Sequence, residues 1–238
     1  MPDNHLSSRF DADINGILSK VFEMGGIVES QLINAMQALN HLDLDLVDRV
    51  IIDERRLNAL EAEVDEECIN IIARYQPAAR DLRLLMAISK TVTNLERAGD
   101  EARKVAKRTR RIAADRNALA INITEIALSG EMAITILRRA LDAFARLDTA
   151  SAAQIVRDDD AIDEQFRAVI QKLVTTMMDD TRVVSIALDY LFIAKAIERI
   201  GDHATNIAEI IIYVVKGKDV RHVSREQLEH EAFSGYPS

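Results

Sequence analysis

The octapeptide Leu95-Glu96-Arg97-Ala98-Gly99-Asp100-Glu101-Ala102 returns as Ile197-Glu198-Arg199-Ile200-Gly201-Asp202-His203-Ala204, an offset of 102 residues from Glu96 to Glu198. Upstream, Asp53-Glu54-Arg55-Arg56-Leu57-Asn58 aligns with Asp158-Asp159-Asp160-Ala161-Ile162-Asp163, and Leu42-Asp43 with Leu147-Asp148, both at an offset of 105. The first copy is therefore longer by three residues between these blocks, most simply in the turn around Pro77. Self-similarity at this scale marks a duplicated structural unit. The expected organisation is a first repeat over 1–116, a second over 117–217, and a C-terminal tail over 218–238 that frays.

Both repeats read as helices. Leu85, Ile88, Val92, Leu95, Gly99, Ala102 and Ala106 follow 3,4,3,4 spacing, and so do Ala187, Tyr190, Ala194, Ile197, Gly201, Ala204 and Ala208. This is the seam of a coiled-coil-like packing face. Its small residues from Gly99 and Gly201 onward let a neighbouring backbone come close. Three helices are expected per unit, at about 7–40, 43–75 and 78–113, then about 118–146, 149–177 and 181–216. Asp43, Asp148 and Asp180 stand where N-caps are wanted, and Gly217 where the last helix should stop. Gly25-Gly26 inside the first helix marks either a kink or close packing. The fold class is all-α, a tandem repeat of two elongated antiparallel three-helix bundles.

Composition agrees. Among 238 residues, 48% are apolar and 4% aromatic, with 8 Gly, no Trp and 3 Pro, at positions 2, 77 and 237. An all-β chain would need Gly/Pro-rich turns far more often. The single Cys68, in a seam slot, cannot form an internal disulfide and fits a reducing, cytoplasmic setting. The most apolar stretch, Ile207 to Val215, contains Glu209 and is too short to span a bilayer, so no direct membrane insertion is expected. A net charge of −9 argues against nucleic acid as a partner.

The candidate chemistry lies in carboxylates placed where a bundle favours leucine. Glu96 and Asp100 are four apart on one helical face, each following a seam residue, and Glu198 and Asp202 repeat the arrangement. On the middle helices Glu54 and Asp159 occupy seam slots, with Asn58 and Asp163 four residues on; Glu61 is a further seam acid. Carboxylates facing a helix partner are costly unless paired, hydrogen-bonded or coordinated. Each unit thus offers four oxygen-bearing side chains to one groove, and oxygen-rich clusters suit hard cations. The same acids can also be read as solvated flanks bridged to Arg97, Arg103 or Arg199. Removal of Asp100 from such a repulsive cluster is expected to leave stability nearly unchanged without metal. His203 reads as a surface residue, with a place in a metal site as the alternative, and the basic run Arg103, Lys104, Lys107, Arg108, Arg110, Arg111 as a solvated helix end or else a surface for an acidic partner or an anion.

Two Glu-Arg-x-Gly-Asp motifs, the turn Gln76-Pro77-Ala78-Ala79-Arg80-Asp81-Leu82-Arg83, the run Gly201 to Glu209 and Val215-Lys216-Gly217 resemble the PhoU family, accessory regulators of bacterial phosphate-specific transport. The resemblance covers nearly the whole chain. It implies two similar three-helix bundles, frequent homodimers, and multinuclear Fe or Zn clusters (Mg or Mn being other options) on carboxylate pairs. Carried over by position, the metal ligands would be Glu54, Asn58, Glu96 and Asp100 in the first unit, and Asp159, Asp163, Glu198 and Asp202 in the second. Asn58 departs from the acidic pattern, which implies a weaker first site. The implied role is a non-enzymatic, cytoplasmic negative regulator. It would link the phosphate transporter ATPase to a membrane sensor histidine kinase and keep the phosphate-starvation response off when phosphate is abundant.

The competing class is a carboxylate-bridged di-iron oxidase or metal-storage bundle. Such sites use Glu-x-x-His on two helices, and no Glu here has a His three residues later. No Gly-rich phosphate loop and no activated nucleophile with its base is visible.

Overall fold

The computed structural model describes residues 3–115 and 121–234, with side chains from residue 8 onward. Six long helices follow the duplicated pattern: α1 (Asp3–His41), α2 (Leu44–Tyr75), α3 (Ala79–Ala113), α4 (Thr124–Arg146), α5 (Thr149–Asp179) and α6 (Val184–Lys216). A short 3-10 turn (Thr181–Val183) precedes α6, and α7 (Arg225–Phe233) follows it. Helices α1–α3 pack on one another as one bundle and α4–α6 as a second. The two bundles join mainly through α3 against α6, with α1 touching α4. One large apolar core, from Ile14 through Leu95 to Ile211, runs through both, with a small satellite of Ala87, Ile210 and Val214 beside it.

The turns repeat as well as the helices. Leu42 and Leu147 both adopt left-handed backbone (φ 53 and 50). The following Asp43 and Asp148 each donate their N–H to a carbonyl five residues back, Ala38 and Ala143. Each then caps the next helix, accepting from Asp45 and Leu46, or from Ala150 and Ser151. Asp180 accepts from Arg182, and Gly217 (φ 72) closes α6 on the Tyr213 carbonyl, as expected. The extra residues of the first copy are the linker Gln76-Pro77-Ala78 between α2 and α3. The expected start of α4 at 118 lies outside the described residues; among the described ones α4 begins at Thr124, whose N–H bonds Asn122 Oδ1.

Gly25 is a close-packing site: a Cβ there would lie 2.8 Å from Leu141 Cδ1, whereas one on Gly26 would meet open space. Gly130, at the offset of 105 from Gly25, receives Met36, which itself corresponds to Leu141. The α1–α4 contact is thus built twice, each helix accepting a long side chain of the other over a glycine. Gly99 and Gly201 admit α2 and α5 in the same way, at Leu57 and Asp159.

The tail differs from expectation. A capping box of Ser224 and Gln227 starts α7, whose Leu228 and Ala232 are buried. Thr149 Oγ1 donates to the Ala232 carbonyl at 2.8 Å, and Arg157 reaches Glu229 at 2.5 Å. A helix with only two buried apolar side chains docks because α5 supplies polar partners along its flank; sequence periodicity carries no trace of them.

Candidate metal centre

Helix α5 brings Asp159 and Asp163, and α6 brings Glu198 and Asp202, to one groove of the second bundle. Asp159 lies against the bare backbone of Gly201, its Oδ1 where a Cβ would stand only 2.7 Å away. Burial pushes its carboxyl up to about 6; the Thr205 hydroxyl partly offsets this, and Asp202, Asp163 and Glu198 add repulsion. Asp202, at the rim, is also pushed up to about 6, by desolvation first and then by Glu198. The Lys195 ammonium sits 2.5 Å from Glu198 Oε2. Glu209, one helical turn beyond Thr205, is raised to about 7 by burial, and Asp159 contributes. Among the described residues, no three His, Cys, Asp or Glu side chains stand close enough together to hold a metal ion as they are. The four acids nevertheless share one groove and repel one another, and all their donor atoms are oxygens. That donor chemistry fits a hard or borderline cation.

The first bundle solves the same problem differently. Arg103 reaches from α3 across to α2, its Nε 2.7 Å from Glu54 Oε1 and its Nη2 2.6 Å from Asp100 Oδ1. This guanidinium is 22% exposed, so the fork is largely shielded from solvent. Burial raises Glu54, Arg103 pulls it back, and Asp100 adds repulsion. Glu96 is also raised by burial, with Glu61 its strongest acidic neighbour, and Arg97 opposes both. Asn58 is exposed. The expected ligand set is therefore divided: Glu54 and Asp100 close on an internal cation, Glu96 faces Glu61, and Asn58 stands apart. These residues do not fit a metal as they lie. The residue equivalent to Arg103 in the second unit is Thr205, too short and uncharged to neutralise an acid pair.

Three expectations need correction. Asp100 is the partner of a shielded arginine and not merely one acid in a repulsive cluster, so its removal would leave half a fork unpaired. His203 is 5% exposed, with Nδ1 3.2 Å from Asn94 Oδ1 across the α3–α6 junction; burial, then Arg199, Arg97 and Lys104, lower it to about 4. The basic run is only partly solvated, because Arg108 reaches Asp189 of α6 at 2.7 Å and Lys104 reaches the buried Glu101 at 2.9 Å. Cys68 is buried, as expected, and burial raises its thiol to about 12. Sequence reasoning offered Arg103 as a bridge to these acids without tying it to the first unit alone; the usable signal was the Arg103/Thr205 pair at an offset of 102.

A pH prediction follows from the raised carboxyls. An Asp whose folded value is near 6, against an unfolded value of ~3.9, favours folding most when protonated. That contribution is full below the unfolded value and is lost as pH rises through the folded one. In metal-free protein, Asp159→Asn should therefore match wild type at about pH 3.5, below the unfolded value, and be more stable by ~1 kcal/mol at about pH 7.5. In a chain this long that is a Tm gain of about 2–4 °C. The difference between the two melting curves isolates Asp159 from His203, which titrates with the opposite sign; a gain equal at both pH values would contradict the assignment.

The PhoU domain family model matches residues 21–109 and 126–211, one match in each bundle. The chain is similar to the phosphate-specific transport system accessory protein PhoU homolog of a Burkholderia species, 55% identical over 98% of this chain and 99% of that one. It is 41% identical to the phosphate-specific transport system accessory protein PhoU of Escherichia coli K12, over 95% of this chain and 93% of that one. The crystal structure of PhoU from Pseudomonas aeruginosa superposes with a TM-score of 0.82 at 40% identity, covering 88% of this chain and all of that one. The chain belongs to the PhoU family.

Proposed function

We propose, from that membership, that this chain is a non-enzymatic accessory regulator of phosphate uptake, and that it joins a phosphate transporter's ATPase subunit to a membrane sensor histidine kinase. With phosphate abundant, it holds the starvation response off and restrains uptake. The observation that carries this reading is 41% identity, over nearly the full length of both chains, to a protein named for the phosphate-specific transport system. No described helix is long and apolar enough to cross a membrane, so contact with membrane proteins would run through the faces of the long bundles. The working form in this reading is a cytoplasmic homodimer.

The second bundle carries the metal in this proposal, Fe or Zn, held by Asp159, Asp163, Glu198 and Asp202. A bound cation would relieve the repulsion that raises Asp159 and Asp202. The first bundle carries its own cation in Arg103.

Deletion of the gene in its host tests the regulatory role. Alkaline phosphatase in phosphate-rich medium is expected to rise to the level of starved cells, and the intact gene should restore repression. Activity that stays repressed in the deletion strain would remove the proposal.

A further inference from the structure

The junction between the two bundles holds a second polar site, separate from the acidic groove. A cavity of about 300 Å3 opens between α3 and α6, bounded on one side by the segment that follows Gly217. Its three cations are Lys90 and Arg97 on α3 and Arg221 beyond α6. Glu209 and Asp219 are its only acids, leaving a surplus of one positive charge in a chain of net charge −9. Arg221 is already forked on Asp219, at 2.9 Å and 2.5 Å. Lys90 instead stands 5.6 Å over the Tyr213 ring, and among the described residues neither Lys90 nor Arg97 forms an ion pair. Asn206 Nδ2 donates to Asn94 Oδ1 at 3.1 Å, which fixes two amides on the cavity wall.

We propose that this cavity binds a small phosphoryl anion, either inorganic phosphate or the phosphate of an organic ester. Two cations that form no ion pair among the described residues, Arg97 being also attracted by Glu96 and Glu61, stand beside amide and hydroxyl groups and match an anion with several oxygens better than a single carboxylate. The volume lies at the small end of ligand pockets and exceeds what a lone phosphate fills, and Tyr213 supplies an aromatic wall for an attached ring. A ligand here touches α3, α6 and the segment leading to α7 at once. It therefore stabilises one arrangement of the two bundles and the docked tail, by mass action on the folded state.

The pocket does not depend on the regulatory role proposed above, and the two fail separately: gene deletion tests the role, titration tests the pocket. The full-length protein, dialysed against chelator so that groove-bound metal cannot capture the anion, is titrated calorimetrically with inorganic phosphate and with AMP. Binding is expected for at least one probe. Lys90→Gln with Arg97→Gln should weaken it by about tenfold or more, while Glu209→Gln, which removes a negative charge from the wall, should tighten it. Tighter binding of AMP than of phosphate identifies an organic ester as the ligand class; equal binding identifies the phosphoryl group alone. No binding of either probe at millimolar concentration, or binding unchanged in the Lys90/Arg97 variant, overturns the proposal.

Discussion

The double substitution Glu198→Ala with Asp202→Ala is expected to abolish metal binding, whereas Glu54→Ala with Glu96→Ala should leave it unchanged. In the duplicated sequence Glu96 is the counterpart of Glu198 and Glu54 of Asp159, so the repeat alone predicts metal at both sites, weaker at the first because of Asn58. The structure separates them by where a cation sits: Arg103 lies between the first pair of helices, whereas among the described residues Lys195 pairs only with Glu198 on its own helix. In the first unit the Arg103 guanidinium brings the charge that a cation would supply, pairing with Glu54 and hydrogen-bonding Asp100. In the second unit the equivalent Thr205 brings no charge, and Asp159 and Asp202 remain raised by burial and by their acidic neighbours. A divalent ion at the first site would have to displace a shielded ion pair, whose disruption costs ~3–5 kcal/mol when one partner is left behind. Elemental analysis of untagged protein after incubation with Fe or Zn reads the outcome directly. Arg103→Thr, which copies the second unit, should add metal to the first. Equal losses from both double variants, or no gain with Arg103→Thr, would contradict the asymmetry.

Gly99→Val is expected to destabilise the protein by about 3 kcal/mol or more, at the upper end of what overpacking a tight core costs. Its first added carbon would lie 2.3 Å from Leu57 Cδ2 and 2.9 Å from Gln31 Oε1. Both neighbours are fully enclosed, Leu57 between helices and Gln31 tied to the Val50 carbonyl at 3.1 Å, so neither can swing aside. Two further methyl groups must then push α2 away from α3. For a chain of this length the loss corresponds to a Tm lower by roughly 6–12 °C. Gly26→Ala supplies the contrast: its Cβ meets nothing within 4 Å, and a helical glycine replaced by alanine without a clash should gain about 0.5–1 kcal/mol. Thermal melts of the two variants should therefore move in opposite directions, and a Gly99→Val protein melting with wild type would refute the close approach.

Much of the fold was legible because local rules decide it. Helix caps depend on a side chain and the amides two or three residues on, so Asp43, Asp148 and Asp180 could be placed from order alone. The seam residues Leu95, Ile197 and their partners could be placed because a heptad face must be buried somewhere. The small residues on that face predicted close approach, which Gly99 and Gly201 provide. Docking of α7 was not legible, since its hold depends on Thr149 and Arg157, more than 60 residues away in the chain.

The acidic positions divide along the same line. Which helix each acid occupies, and which acid follows four residues later, is a property of spacing and was determined by sequence order alone. Whether an acid pair is left repulsive or neutralised depends on which long side chain reaches across from the neighbouring helix. Arg103 could have pointed outward with the rest of its basic run; only packing of α2 against α3 turns its guanidinium between Glu54 and Asp100. His203 shows the same limit, because only the junction of the two bundles buries it against Asn94. Periodicity therefore determined the two bundles and the candidate residues. Tertiary structure decided which of them keep an unbalanced charge, because electrostatic balance is set by distances across helices that the order of residues along one helix does not contain.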